Sequence, residues 1–396
     1  MNVREKVFKL TEEIFPLLVK IRRDFHMHPE LGLEEYRTSR KIIEYLHQWD
    51  IPVADVIRGT SVVAMLEGQA GGKTIALRAD MDALPIQEET SAPYASQFPG
   101  KMHACGHDAH TAIQLGAAWV LSRLKEEFTG NIKFFFQQAE ETVGGAQTMI
   151  EAGCLEAPKV DHVLGLHVCP QLETGHIGFK FGRMNAASDA LTLNIKGKKA
   201  HGAYPQDGID AIVIASQLVL AVQTIISRNV SPLDAAVLSL GMISGGVAPN
   251  VVASQVTLKG TLRTLDHTSR SFILARLFET SRHVGEAFGG EITVAVEPGY
   301  DPLINDDGVV ERVKGLAEEL LGAEAVQLLP DPSLGVEDFA YFAGAVPSCF
   351  YRLGIKKQGD NQQATLHEST FDLDEEAMKT GVVMQVMAAL GLLDDR

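Results

Sequence analysis

The feature that most constrains this chain is an apolar run, 132–136, followed closely by two adjacent glutamates, Glu140 and Glu141. Aromatic and β-branched residues bounded by turn formers are typical of a strand that is buried on both faces. Open α/β sheets bind ligands at the carboxyl ends of such strands. Two neighbouring carboxylates repel each other unless a cation, a proton or an arginine lies between them. A Glu-Glu pair is also common at the solvated start of a helix. The other residues of the chain have to distinguish a binding site from such a helix start.

Other candidate ligands follow predicted strands in the same way. Asp80 and Asp82 come just after the predicted strand 74–77, and His167 ends a later strand. Between them, the segment 103–110 contains three histidines, one cysteine and one aspartate. Right-handed crossovers bring the ends of successive parallel strands together. We therefore expect these side chains to share one site, although aspartate is also a frequent turn former.

The residue types in this set indicate a metal site. Cys105 and His107 can converge on one ion if Gly106 permits the turn between them. The full set of candidate ligands is Cys105, His107, Glu141, His167 and His367. Five ligands exceed what one tetrahedral ion takes, so we expect two ions with a bridging ligand or water. Sulfur, nitrogen and oxygen together suit Zn²⁺, Mn²⁺, Co²⁺ or Ni²⁺ and argue against Ca²⁺ or Mg²⁺. Glu140 remains as a carboxylate outside this ligand set that can act as general base.

Composition narrows the class of partner. The chain has 396 residues, with 35 Lys and Arg against 51 Asp and Glu, a net charge of −16. This balance argues against nucleic acids and anionic membranes and favours a small-molecule substrate. The first residues lack the apolar core of a signal peptide, and no apolar run is expected to be long enough to span a bilayer. The four cysteines have no framework spacing, so free thiols in a reducing cytoplasm are expected.

The order of elements predicts an α/β protein with two domains. Residues 1–186 and 298–396 are expected to form one discontinuous domain, a mixed and mostly parallel sheet with helices on both faces. The intervening segment 187–297 reads β-α-β-β-α-β, with strands that alternate between apolar and polar residues. This order is typical of an α+β ferredoxin-like domain, inserted here into the larger one.

Short motifs along nearly the whole chain indicate a resemblance to a known protein family. They are Arg22-Arg23-x-x-His26-x-x-Pro29-Glu30, Arg78-Ala79-Asp80-Met81-Asp82-Ala83-Leu84-Pro85, His103-Ala104-Cys105-Gly106-His107-Asp108, Gln137-Gln138-Ala139-Glu140-Glu141, Gly165-Leu166-His167, Ala200-His201, Gly260-Thr261-Leu262-Arg263 and Glu337-Asp338-Phe339. Together they resemble the aminoacylase, hippurate hydrolase and indole-acetyl-amino-acid hydrolase family of dinuclear metallopeptidase-like amidohydrolases. The Cys-Gly-His element coupled to the paired glutamates is the most specific part. Where the family usually has proline before Ala-Glu-Glu, this chain has Gln138.

The resemblance implies metal-dependent hydrolysis of the amide bond of N-acyl amino acids. It implies that the five candidate ligands bind two divalent transition-metal ions and that Glu140 is the general base. The resemblance also implies catalytic roles for Asp82 and His201. His201 would stabilise the oxyanion in the neighbouring subunit. Asn250 and Arg263 match positions suited to the substrate carboxylate. The inserted domain would act as a lid and would form a homodimer or a dimer-based tetramer.

Two alternatives remain open at this stage. A metal-dependent dipeptidase or carboxypeptidase would keep the chemistry and change the substrate. A non-catalytic relative would keep the pocket to bind a metabolite, although the intact Glu140 and the full ligand set argue against this. Assays of N-acyl amino acids against free dipeptides separate the first alternative from the expected activity.

Overall fold

The computed structural model describes residues 1–360 and 362–394. The α-helices are α1 Val3–Met27, α2 Tyr36–Gln48, α3 His107–Ser122, α4 Ala146–Glu151, α5 Ala211–Thr224, α6 His267–Ala287, α7 Asp307–Leu321, α8 Ala340–Ala345 and α9 Ala377–Leu393. The strands are β1 Val53–Ile57, β2 Ser61–Glu67, β3 Gln69–Asp80, β4 Thr129–Gln137, β5 His162–Glu173, β6 Ile177–Phe179, β7 Arg183–Asn185, β8 Ala187–Lys196, β9 Ala200–His201, β10 Ala236–Gly245, β11 Val251–Val252, β12 Gln255–Thr264, β13 Glu291–Pro298, β14 Leu303–Ile304, β15 Val326–Leu328 and β16 Ser348–Lys356.

The larger sheet has the strand order β1-β2-β4-β3-β5-β16-β6-β15. The pairs β3–β4, β3–β5, β5–β16 and β6–β15 are parallel, whereas β1–β2, β2–β4 and β16–β6 are antiparallel. The parallel strands β3, β4 and β5 lie side by side at its centre. The predicted fold class, a mixed and mostly parallel α/β sheet, is confirmed.

The strand β4 is buried on both faces, as its aromatic run predicts. Phe134 and Phe136 belong to the core that α1, α3 and α9 share, and neither is accessible to solvent. Phe135 stacks on Phe342, with 5.5 Å between the ring centroids. Burial of each phenylalanine contributes about 2 kcal/mol relative to exposure. The two glutamates after β4 therefore extend from a firmly packed strand.

The strand β5 differs from its prediction. The sequence predicts that it ends at His167, but it continues to Glu173, and its partner Arg352 lies opposite His167 on β16. Pairing between β5 and β3 reaches only Gly165. His167 is therefore placed where one neighbouring strand ends, and not where its own strand ends. The short strands β1, β6, β7, β9, β11 and β14 were not predicted, because two to five residues are too few to show a periodicity.

The smaller sheet has the order β10-β12-β8-β13, and all its pairs are antiparallel. The strand β8 alternates between buried residues and more exposed ones, and Leu191, Leu193 and Ile195 are buried. Side chains of α5 and α6 complete this core, among them Leu218 and Leu277. The chain order β8-α5-β10-β12-α6-β13 is that of the ferredoxin-like sandwich predicted from the sequence.

The chain divides into two compact units. The first contains Met1–Gly182, Asn305–Asp331 and Tyr341–Arg396, and the second contains Arg183–Ile304 and Pro332–Ala340. The large sheet and its helices belong to the first unit, and the ferredoxin-like sheet belongs to the second.

Among the described residues, one helical stretch, Ala211–Asn229, is long and apolar enough to cross a membrane by length and composition alone. The expectation that no apolar run reaches that length was therefore wrong. This is weak evidence for a membrane span, because core helices of soluble proteins pass the same test. In this helix Ile214, Leu218 and Val222 pack into the core of the ferredoxin-like sheet.

Candidate metal centre

The turn before α3 brings Cys105 and His107 together. Gly106 adopts a left-handed conformation with φ +82°, which costs a residue with a Cβ about 1 kcal/mol or more. A Cβ at this position would lie 2.6 Å from Cγ2 of Val168 on β5. Glycine is therefore required here both for the backbone angle and for the close approach to β5.

Three candidate ligands meet at this turn. The Cys105 Sγ lies 3.4 Å from Nε2 of His167. A ligand atom of His107 lies within 4.8 Å of both, and all three side chains are buried. The Nε2 of His107 is buried and has no hydrogen-bond partner among the described residues. A buried imidazole nitrogen without a partner, beside a thiol and a second imidazole, fits a transition-metal site.

A second group of three uses the same cysteine. The His367 Nε2 lies 3.1 Å from Oε1 of Glu141, and the ligand atoms of Cys105, Glu141 and His367 lie within 4.8 Å of one another. The His367 N–H donates to the Ala104 carbonyl at 2.8 Å, which ties the C-terminal loop to the residue before Cys105. Cys105 is common to both groups. All five predicted ligands are thus brought together within the first unit.

Hydrogen bonds orient the two buried imidazoles. The His107 Nδ1–H donates to Asp82 Oδ1 at 3.1 Å, and the His167 Nδ1–H donates to the Val168 carbonyl at 2.8 Å. Each bond fixes a tautomer that leaves Nε2 free to coordinate. The other Asp82 oxygen accepts the Glu141 N–H at 2.9 Å. Asp82 therefore connects two candidate ligands.

The electrostatics of the site favour a cation. Burial lowers the pKa of His107, but the carboxylates of Asp80 and Asp82 outweigh this effect and raise it to about 10. Burial raises the pKa of the Cys105 thiol far above its usual value, and Glu141 and Glu140 raise it further. A thiolate at this position therefore needs a positive charge beside it, which a divalent metal ion supplies.

Glu140 is the carboxylate that neither group of three includes. It is 7% exposed, and one of its oxygens lies within 4.8 Å of ligand atoms of His107 and Glu141. The residue before it, Ala139, has φ +56°, an uncommon angle for a residue other than glycine. The pair of glutamates thus leaves β4 through a left-handed turn.

A supporting layer of side chains lies behind the candidate ligands. The sequence placed Asp80 and His110 at the site but did not predict this role for them. The His110 Nδ1–H donates to Asp80 at 2.6 Å, and His110 Nε2 accepts the Val168 N–H at 2.9 Å. Asp80 also accepts from Arg78 at 2.7 Å. The spacing of His107 and His110, three residues apart at the start of a helix, places both on one face and was the available signal.

His26, a residue of the first motif, belongs to a separate buried network. Its Nδ1 lies 2.8 Å from Oδ2 of Asp108, the same oxygen that accepts from Arg22 at 2.8 Å. Its Nε2 lies 3.3 Å from a carboxylate oxygen of Glu88. Its contacts therefore go to Asp108, which connects α1 to α3, and to Glu88 in the loop before α3, rather than to the candidate ligands.

The remaining predicted residues lie in the second unit. His201 is exposed on β9, and the adjoining Gly202 N–H donates to the carbonyl of Asn250 at 2.8 Å. Arg263 lies near the end of β12, paired with Val237 and Ser188. At 3.3 Å per residue, Arg263 is about 25 Å along the strand from its start near Asn250. The structure brings His201 and Asn250 together and leaves Arg263 at the opposite end of β12.

The model of peptidase family M20/M25/M40 matches residues 76–390. The chain belongs to this family.

Among its relatives, an N-acetyl-L-cysteine deacetylase of Bacillus subtilis (strain 168) is 40% identical over 95% of this chain and 88% of its own length. An N-acyl-L-amino acid amidohydrolase of Geobacillus stearothermophilus is 42% identical over 77% of this chain and 82% of its own. A crystal structure of a dinuclear metal-binding M20 peptidase from Bacillus subtilis matches with a TM-score of 0.85 and 32% identity, over 97% and 100% of the two chains. The predicted amidohydrolase family is confirmed.

The structure also shows how the chain holds Gln138, the position at which the sequence departs from the motif it resembles. The Gln138 N–H donates to Ser61 Oγ at 3.2 Å, and its side-chain oxygen accepts from the Thr60 hydroxyl. Proline has neither group. Here the turn is held by hydrogen bonds to the start of β2.

Proposed function

We propose that this chain hydrolyses the amide bond of N-acyl amino acids to a carboxylic acid and a free amino acid, with the help of two divalent metal ions. The observation that carries the proposal is the pair of ligand groups that share Cys105, with the Glu140 carboxylate beside them. The relatives named as a deacetylase and an amidohydrolase support the substrate class.

The donor set supports Zn²⁺, Mn²⁺, Co²⁺ or Ni²⁺ as the ions. The ions would be held by the five side chains of the two groups, Cys105, His107 and His167 in one and Cys105, Glu141 and His367 in the other. Ions bound at these residues would lower the pKa of water and polarise the amide carbonyl.

The side chains of the chain then have distinct tasks. Glu140 takes the proton from the attacking water and delivers it to the departing nitrogen. Asp82 holds His107 and the Glu141 backbone in place. His201 of the neighbouring subunit stabilises the developing oxyanion, a contribution of roughly 3 kcal/mol where one such donor is removed from other enzymes.

The second unit supplies the remaining parts of the proposal. Segment 187–297 is assigned as the lid, and Asn250 and Arg263 as residues that bind the substrate carboxylate. Because the two lie near opposite ends of β12, one of them acts from the neighbouring subunit in this proposal. The lid also forms a homodimer or a dimer-based tetramer, which is supported by large apolar side chains that are more than 60% exposed, namely Leu220, Met242 and Ile243. The free thiols support a cytoplasmic location.

A substrate panel tests the activity. Metal-free protein is loaded separately with Mn²⁺, Zn²⁺, Co²⁺ and Ni²⁺ and assayed on N-acetyl and N-benzoyl amino acids and on free dipeptides. Cleavage of the N-acyl substrates supports the proposal. Faster cleavage of dipeptides or C-terminal residues identifies a peptidase instead, and tight binding without turnover with every metal identifies a binding protein.

A further inference from the structure

The left-handed turn at Ala139 needs support from outside β4. A non-glycine residue at φ +56° costs about 1–2 kcal/mol and persists only where its surroundings hold it. The direction in which Glu140 and Glu141 leave the strand depends on this residue. Whatever holds Ala139 therefore sets the position of both carboxylates.

Glu35, in the segment between α1 and α2, makes that contact. Its Oε1 accepts the Ala139 N–H at 2.8 Å, and its side chain is inaccessible to solvent. The same segment packs closely on the turn, because a Cβ on Gly32 would lie 3.0 Å from Cα of Ala139 and 2.5 Å from Oγ1 of Thr142. The segment is fixed in turn by the Ala83 N–H, which donates to the Glu30 carbonyl at 2.8 Å.

An acidic residue just before a helix usually caps its N-terminus, but another residue caps α2. Glu35 precedes the first residue of α2 but makes no capping hydrogen bond with its side chain. Glu30 does so instead, since its carboxylate accepts the N–H groups of Arg37 and Thr38 at 3.0 and 2.8 Å. Burying a carboxyl group without such a role is costly, and burial raises the pKa of Glu35 to about 7. The position of this buried carboxyl is explained by Ala139 and not by α2.

We propose that Glu35 is a positioning residue, which holds the Ala139 turn through its backbone N–H and thereby aims Glu140 and Glu141 into the metal centre. Where it concerns catalysis, this inference rests on the proposed amidohydrolase activity. Glu35 itself need not touch the substrate or the ions.

Three substitutions at Glu35 separate the effect of the position of its accepting oxygen from the effect of its negative charge. Glu35→Gln keeps an oxygen acceptor at the same reach and removes the charge. Glu35→Asp keeps the charge and withdraws the oxygen by about 1.5 Å. Glu35→Ala removes the acceptor and leaves the Ala139 N–H buried without a partner. We expect kcat to fall at least tenfold in the Asp and Ala variants with KM within threefold of wild type, and kcat of the Gln variant to stay within threefold.

Glu30→Gln is the matched control, since Glu30 belongs to the same segment but caps α2. It is expected to lower Tm and leave kcat within twofold of wild type. The inference is overturned if Glu35→Asp keeps wild-type kcat, if Glu35→Gln loses as much as Glu35→Asp, or if Glu30→Gln lowers kcat equally. If Glu35→Ala does not fold, the Asp and Gln variants still decide the question.

A crystal structure of metal-free Glu35→Asp provides a readout that does not depend on activity. Departure of Ala139 from its left-handed conformation supports the inference, and an unchanged turn overturns it. If the wild-type protein is inactive on every substrate in the panel, the proposed function fails, while this structural comparison still decides the role of Glu35.

Discussion

At the scale of single residues, the two adjacent glutamates differ in their surroundings. Glu141 lies against His367, and its backbone N–H donates to Asp82. Glu140 belongs to neither of the two ligand groups that share Cys105. One sequence pair thus provides a candidate ligand and a candidate base, and substitution of each should have a different effect.

Glu140→Gln tests the base. The amide keeps the shape of the side chain and cannot take a proton, so kcat is expected to fall by about 10²-fold or more. Metal content, measured by mass spectrometry of the dialysed protein, should remain at two ions per chain. Glu151→Gln, at an exposed position, should leave both quantities unchanged. Normal turnover by the Glu140→Gln variant would show that another group is the base.

Glu35 also has a consequence for stability. Its folded-state pKa of about 7 lies above its ordinary value of 4.5, because burial disfavours the charged form. Below about pH 4.5 the protonated Glu35 makes its full contribution to the free energy of unfolding. As the pH rises through 7, up to about 3 kcal/mol of that free energy is lost. Glutamine does not titrate, so the free energy of unfolding of Glu35→Gln relative to wild type should increase from pH 5 to pH 8.

Denaturant unfolding of the metal-free proteins at pH 5, 6, 7 and 8 measures this difference. Glu151→Gln serves as the control for the substitution itself and should show a constant difference from wild type. A constant difference for Glu35→Gln as well would contradict the raised pKa.

At the scale of elements, the turn before α3 determines whether two candidate ligands reach β5. Gly106 has a left-handed angle and a Cβ there would clash with Val168, whereas Gly100 has a similar angle, φ +77°, and a Cβ there would meet open space. The two glycines therefore form a matched pair. Replacing Gly106 by alanine introduces backbone strain and a steric clash, whereas replacing Gly100 by alanine introduces backbone strain alone.

Gly106→Ala is expected to weaken metal binding at least tenfold and to lower kcat, because the new Cβ has to displace Val168 or shift Cys105. Gly100→Ala should cost only about 1 kcal/mol of stability and leave the metal affinity unchanged. Calorimetric titration of the metal-free proteins with Mn²⁺ measures the affinity. Equal effects of the two substitutions would mean that the contact with β5 does not matter.

At the scale of the whole molecule, the candidate ligands come from four separate segments of the chain and meet only after folding. Binding of ions to the folded state alone should therefore stabilise it, by about 2.7 kcal/mol when the free metal is at 100 times its Kd. Chelation is expected to lower Tm by several degrees, and Mn²⁺ should restore it, whereas Mg²⁺ should not.

Two buried cysteines make this prediction specific. Cys105→Ser should abolish the change in Tm on adding Mn²⁺, because it removes the ligand common to both groups. Cys154→Ser replaces another buried free thiol and should keep the full response. Differential scanning calorimetry with and without a chelator provides the measurement. A full response in the Cys105→Ser variant would contradict the shared-ligand assignment.

Much of this protein could be predicted from its amino-acid sequence, because the signals that predict helices, strands and turns are local. The aromatic run of β4 predicts a buried strand, the order β-α-β-β-α-β predicts the ferredoxin-like unit, and the Cys-Gly-His element predicts a turn into a helix. The types of the five ligands were also readable, since thiol, imidazole and carboxylate groups in sparse clusters favour transition metals.

Which of these groups meet, and through which atoms, becomes clear only in the folded protein. The sharing of Cys105 depends on His367, which the chain brings back to Ala104 from its far end. The contact of Glu35 with Ala139 joins residues 104 positions apart, and no periodicity or motif records it. Such contacts follow from the packing of whole elements, in which a few tenths of an ångström separate a hydrogen bond from a clash, and local sequence patterns do not contain that information.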